Sequence, residues 1–345
     1  MDLLKTMFVK RSTRVIGIVL TLAAVGAAAR TDAQAVRNAG KYGAMFSWWY
    51  ERLLPQTKYP PTLAWDSRRL SWWIGIVRQA REAGLGWIAV ASWGAGTTAD
   101  PAQLRPLIAA IEANGGGLKI ALFDDTTSEV LRKNETKGRG WTLDVPFDLA
   151  DLDGRGEGGF HYFYDQQWKR FFATVPDEYR LKLNGRPVVF MWHSHSGGRL
   201  RYAHADEFHI LLRRLREATQ RDFGVDPFII PEERWIALDP RADPDAVYAW
   251  FDAPSVTATV RTLKGIRVAN VVPGYDCSLC VPPGPTIDRR DGEVYRQGLT
   301  AVAAGSDLVL IEGLVNIDEN AHIVETSTWG RLYLDLTRWF ALNVP

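Results

Sequence analysis

The sequence predicts an α/β fold, a single-domain (β/α)₈ TIM barrel with extended loops after its strands. Three observations carry this. Eight short apolar runs alternate with helix-periodic stretches, over roughly 300 residues where such a barrel takes about 250 plus insertions. No Gly-x-Gly turn follows the first run, where a doubly wound open sheet would usually show one; SWWYERLLPQ stands there instead. Acids and aromatic rings gather at the C-terminal ends of the runs, which is where barrel enzymes place their reacting groups.

KYGAMFSWWY (41–50) is the first strand. Leu70, Trp73, Ile74, Val77 and Ala80 follow at helical spacing, and Gly84 stops that helix. GWIAVASWG (86–94) is the second strand, Pro101 to Ala113 a helix closed by NGGG, and LKIALFDD (118–125) the third strand. A polar insertion rich in Gly and Asp runs from Thr126 to Gly159. The helical FYDQQWKRFFATV leads to the fourth strand, RPVVFMWHS (186–194), and an amphipathic helix spans Ala205 to Arg221. DPFIIPEE (226–233), DAVYAWFD (245–252) and IRVANVVPGYD (266–276) read as strands five to seven. A helix from Val294 to Ala304 precedes the eighth strand, SDLVLIEG (306–313), and a helix from Leu332 to Leu342 closes the chain.

Composition bounds the function. A chain that is 46% hydrophobic with net charge +1 has a large core and no basic field for nucleic acid. Lys5, Lys10, Arg11 and Arg14 precede an apolar run, Val15 to Ala29, too short to span a bilayer comfortably, and DAQAV then offers an A-x-A cleavage site. Residues 1–35 are therefore expected to be a signal peptide of the Sec type, with a mature domain over 36–345, secreted or periplasmic, and no membrane association after cleavage. Cys277 and Cys280 in GYDCSLCVPPGP are expected to close a disulfide in an oxidising compartment. The prolines that follow argue against a redox motif, and the lack of a second Cys pair argues against zinc.

The strand ends carry the chemistry. They supply Trp48-Trp49-Tyr50, Trp93, Asp124-Asp125, Trp192 with His193 and His195, Glu232-Glu233, Trp250 with Asp252, Tyr275-Asp276, and Glu312 with Glu319 in its following loop. The opposite ends hold ordinary polar residues: Lys119, Arg186, Asp226 and Asp307. Trp48, Trp49, Trp93 and Trp250 are expected to stack on sugar rings. Glu232, Tyr275, Asp276, His193 and His195 are expected to bind hydroxyls. Paired carboxyls divide acid and base work across a glycosidic bond. Strand alternation puts Glu312 on the face of Leu308 and Leu310, where an acid is costly unless it is used or paired. The His193-x-His195 pair could instead share a metal with nearby carboxylates, but no metal or other cofactor is expected.

GWIAVASWG, LNGRPVVFMW, VVPGYD and IEGLVNIDENAHIVETSTWG together resemble the secreted barrels of glycoside hydrolase family 99, the endo-α-mannosidase-like group. The resemblance covers most of the mature chain, in order. It implies a barrel and a catalytic pair of glutamates three residues apart after the eighth strand. The second of these falls on Glu319; the first falls on Asn316, which is not an acid. Another carboxylate must substitute if the chain is a hydrolase, and Glu312, Asp125 and Glu232 are the candidates. The expected function is an exported glycoside hydrolase acting on a polysaccharide or complex glycan. Glu319 would be the general acid, Glu312 the second carboxylate and Asp125 its reserve. The alternatives are a non-catalytic carbohydrate-binding barrel, which Asn316 favours, and a metal-dependent hydrolase built on His193 and His195.

Overall fold

A computed structural model describes residues 40–48, 57–128, 130, 149–150, 159–193, 204–280 and 283–344. In chain order they form β1 (Tyr42–Phe46), α1 (Leu70–Glu82), β2 (Trp87–Ser92), α2 (Arg105–Ala113), β3 (Lys119–Asp124), α3 (Gly159–Phe163) and, after a π-helical turn (Tyr164–Trp168), α4 (Lys169–Thr174). β4 (Lys182–Leu183), β5 (Arg186–Met191), α5 (Phe208–Phe223), β6 (Phe228–Pro231) and α6 (Glu233–Leu238) follow. The chain then forms β7 (Ala258–Leu263), β8 (Ile266–Val271), β9 (Tyr275–Asp276), β10 (Thr286–Ile287), α7 (Glu293–Val302), β11 (Leu308–Val315) and α8 (Leu332–Asn343). The expected signal peptide, residues 1–35, lies outside the described residues, as does most of the insertion after β3.

Seven strands run parallel in the order β6-β5-β3-β2-β1-β11-β8, with β4 antiparallel to β5 and β7 antiparallel to β8. Both faces of the parallel strands are buried, which is why they read as nearly continuous apolar runs. Tyr42, Ala44 and Phe46 of β1, Ile88 and Val90 of β2, and Val309 and Ile311 of β11 pack outward. They meet Trp73, Ile76 and Val77 of α1, Leu215 of α5 and Leu299 of α7. The alternate residues, Met45, Trp87, Ala89, Ala121, Phe123, Phe190, Ile230, Val268, Leu308 and Leu310, form a separate inner cluster. That cluster exists only because the sheet curls on itself. Trp87 and Phe190, on strands that flank β3, stack with ring centroids 5.5 Å apart. Gly43 makes room for this, since a Cβ there would lie 2.0 Å from the Trp87 ring.

The curl does not become a closed eight-strand ladder among the described residues. The expected sixth strand, 245–252, makes a single parallel bridge, Tyr248 to Glu232, although Ala246 and Tyr248 still enter the inner cluster. The physical reason is on the facing edge, where β7 pairs with β8 through six residues and takes the hydrogen bonds a sixth strand would need. Side chains bridge the seam instead. Asn270 on β8 accepts from the Phe251 N–H at 3.0 Å and donates to the Leu310 carbonyl at 3.2 Å, and the Thr259 hydroxyl donates to the Ala249 carbonyl. The observed architecture is a curled mixed sheet wrapped by helices, a barrel-like half with its strand C-termini at one mouth.

Candidate active site

The mouth is shaped by β11. Its register against β1 jumps from Ala44 opposite Ile311 to Phe46 opposite Val315, so a bulge falls at 312–314. Bulges often re-aim side chains beside functional sites. Gly313 sits at φ +79°, and a Cβ there would lie 2.3 Å from the Ala321 carbonyl oxygen. The chain turns straight back: Ile323 N–H donates to the Gly313 carbonyl and Ala321 N–H to the Asn316 carbonyl, both at 2.9 Å. Glu312, Asn316 and Glu319 are thus gathered at one spot, above Leu308 and Leu310 of the inner cluster.

One amide joins the two glutamates. Asn316 Nδ2 donates to Glu312 Oε1 at 2.7 Å and to Glu319 Oε2 at 2.7 Å. The Tyr275 hydroxyl, on β9, donates to Glu319 Oε1 at 2.8 Å, and the next residue's N–H donates to the Glu319 carbonyl at 2.8 Å. Glu312 is fully buried and its second oxygen, Oε2, has no hydrogen-bond partner among the described residues; Glu319 is half-buried. Burial raises the Glu312 carboxyl well above the usual range, and the Glu319 and Asp125 charges push it further. Burial also raises Glu319, less strongly, because Tyr275 and Asn316 both donate to its ionised form. Such a pair titrates as a unit.

The loop beneath the pair is pinned by a buried cation. Arg289 donates to the Asn320 and His322 carbonyls at 2.6 and 2.8 Å, with the rings of Tyr333, Tyr59 and Trp329 at 4.5, 5.1 and 5.1 Å from its guanidinium carbon. His322 lies between two carbonyl oxygens, of Tyr59 (2.8 Å) and Asn316 (3.3 Å). Burial, with Arg289 nearby, drives its pKa down to about 3, so the ring is neutral and donates to only one of them.

The expected site residues divide. Asp125 lies at the end of β3, where Trp93 Nε1 donates to its Oδ2 at 2.7 Å. Trp250 is half-buried among Phe123, Trp192 and Phe251 at the mouth. His193, half-buried, meets the Trp235 ring edge-on at 4.7 Å. Glu232 is 1% exposed and caps α6, accepting from the Arg234 N–H at 2.8 Å; burial pushes its pKa up to about 7. Asp276 is occupied, accepting from Lys58 Nζ at 2.5 Å and from the Ser278 hydroxyl at 2.6 Å. Trp48 is 2% exposed and packs against Phe46 and Trp73, a core position with no open ring face for a sugar. Trp49 and His195 lie outside the described residues. Cys277 and Cys280 are joined by a disulfide. Among the described residues no three His, Cys, Asp or Glu side chains are grouped to hold a metal ion.

Two groups outside the expected set of site residues stand out. Asp124 turns outward to the Trp168 indole and to Thr126, fully buried, and burial raises its pKa to about 7. The Tyr248 hydroxyl is buried with no hydrogen-bond partner among the described residues, and its pKa is raised well above normal by burial and then by the Glu232, Asp125 and Glu312 charges. Its position was legible, since alternation puts Tyr248 on the face of Trp250.

Comparison with known proteins agrees on the fold. A solved glycoside hydrolase-like protein superposes with a TM-score of 0.61 at 14% identity, covering 88% of this chain and 94% of its own. The endo-alpha-mannosidase of glycoside hydrolase family 99 from Bacteroides thetaiotaomicron, in complex with bis-tris-propane, superposes with a TM-score of 0.56 at 16% identity, covering 88% of this chain and 96% of its own. The fold is therefore similar to that of the family 99 enzymes. No curated protein sequence matches the chain. The family model DUF5010, a domain of unknown function, matches residues 23–344, and the chain belongs to that family.

Proposed function

We propose that the protein hydrolyses glycosidic bonds with Glu319 and Glu312 as its carboxyl pair. The observation that carries this is the shared Asn316 amide. Two bonds of 2.7 Å to one nitrogen keep those carboxyl oxygens no more than about 5.4 Å apart, short of the roughly 6.5–9.5 Å of inverting pairs. Burial raises both groups, Glu312 the more strongly, so the pair resists giving up both protons. In the reactive form the proton lies on Glu319, the member at the mouth, which passes it to the departing glycosidic oxygen as the bond to the anomeric carbon breaks. Glu312 is left as the carboxylate that meets the anomeric carbon on the opposite side, a step that requires the site to open around its buried Oε2. Water then cleaves the glycosyl ester and returns the proton to Glu319. Trp250 and Trp192 supply ring faces for the sugar. Export belongs to the same reading, supported by the basic-apolar N-terminal segment and by the disulfide.

The test is reducing-end release from α- and β-linked polysaccharides, beginning with an α-mannan because one structural neighbour is an endo-alpha-mannosidase. Glu319→Gln should lower the rate by about 10²–10⁴-fold with the fold intact. Undiminished release by that variant overturns the assignment. One observation favours a second reading, a non-catalytic glycan-binding barrel: Glu312 has no exposed surface. Binding of a glycan that is recovered unchanged after long incubation would establish it.

A further inference from the structure

We propose that Asn316 is the positioning residue of this site, a clamp whose single amide group holds Glu312 and Glu319 in register with each other. The inference deepens the hydrolase reading and rests on it for its catalytic meaning. The geometry carries it. An amide nitrogen has two hydrogens, and both are spent here, one on each carboxylate at 2.7 Å. Asn316 is 1% exposed, so no solvent competes for them. Its backbone is held independently, its carbonyl accepting from Ala321 N–H at 2.9 Å with His322 at 3.3 Å. The orientation is dictated by the partners: turning the amide over would set its oxygen against two carboxylates. No acid at this position could donate to both glutamates, so the departure from the resembled motif replaces a reacting group with a bridge and leaves Glu312, four residues upstream, as its substitute.

Tyr275 from β9 is the other donor to Glu319, Asp318 is the acid beside it on the same turn, and Asp125 at the end of β3 and Tyr248 from the seam face Glu312. Arg289 and His322 lie behind the loop and touch neither carboxyl oxygen. Asn316 is the group among these that reaches both.

The experiment is a pH titration of glutamate side-chain carboxyl resonances in the full chain, without substrate. Glu312→Gln identifies the coupled pair. Asn316→Ala removes the shared donor and should move the pair's titration up by about one unit, with the acid limb of any glycan-hydrolysing activity moving the same way. Asn316→Asp, close to isosteric and adding a like charge, should move it in the same direction if the alanine variant does not fold. Asn320→Ala is the structural control on the same turn. Its side chain bonds the Lys58 N–H at 2.8 Å, Thr57 and the Asp276 carbonyl, so it should lower Tm and leave the titration in place. An unmoved titration in both Asn316 variants, or an equal shift in Asn320→Ala, overturns the clamp. The resonances report without any turnover, so the clamp can fail while the hydrolase reading stands, and the reverse.

Discussion

Two sets of buried and half-buried carboxylates in this molecule are treated in opposite ways. In the first set, each is met by arginine. Asp245 lies between Arg186 and Arg216, each at 2.5 Å, Asp100 is gripped by Arg170 at 2.6 Å, and Asp239 is held by Arg241 at 2.9 Å and by His209. Burial alone would raise all three, yet these partners outweigh it and hold them below the usual range, Asp239 at about 2. In the second set, Glu312, Glu319 and Asp124 are met by neutral donors, and Arg234 stands 3.6 Å from Glu232. There burial wins, and all four are raised. Under the proposed hydrolase reading the first set serves stability and the second proton transfer, since perturbed carboxyls mark working sites more often than packing.

Three substitutions probe that contrast. The largest effect should come from Asp245→Ala, which strands Arg186 and Arg216 and removes the acceptor for the Ile229 N–H; losing one partner of a buried pair costs about 3–5 kcal/mol. Chemical denaturation at pH 7 would show it, and a loss below about 1 kcal/mol would mean the arginines are solvated. Glu232→Gln comes next, and its sign depends on pH. Glu232 is raised to about 7, so its favourable contribution is complete below its unfolded value and is lost as pH rises through about 7. The glutamine variant should therefore lose its disadvantage over that window by up to about 3 kcal/mol. Asp245, being depressed, behaves in the opposite sense: its contribution is present above the unfolded value and disappears as pH falls. Parallel stability curves for wild type and Glu232→Gln would erase the contrast. Smallest is Trp93→Phe, which deletes the indole donor to Asp125 and should cost about 1 kcal/mol, measured as a fall in Tm.

Much of this was legible in the sequence, for reasons that can be named. Alternation along LVLIEG put Glu312 with Leu308 and Leu310, and the inner cluster holds those two leucines beneath it. The helix at Leu70–Glu82 starts and stops where its spacing and Gly84 require, although Leu70 itself is 45% exposed. The failures are local. The hairpin β7–β8 was missed, though Lys264 and Gly265 both adopt positive φ in a two-residue turn, as do Asn184 and Gly185 between β4 and β5. Such turns are a hairpin signal. Missing it produced the closed eight-strand barrel, because it hid the strand that fills the seam. Strand position does not reveal that Phe46 and Trp73 cover Trp48. A motif names residue types and not the hydrogens they donate, so the bonds from the Asn316 amide to both glutamates are not legible in it.

β7 has one more consequence, for how the protein behaves in concentrated solution. Among the described residues it pairs with β8 on one side only and is half-buried, so its other edge is a template to which a second chain could add a strand. Arg261 sits in its middle, tied to Glu233 of α6, and Lys264 ends it with Asp243 at 2.5 Å. The Thr259 hydroxyl engages Ala249 across the seam. The strand that keeps the barrel from closing thus carries its own guard against self-association.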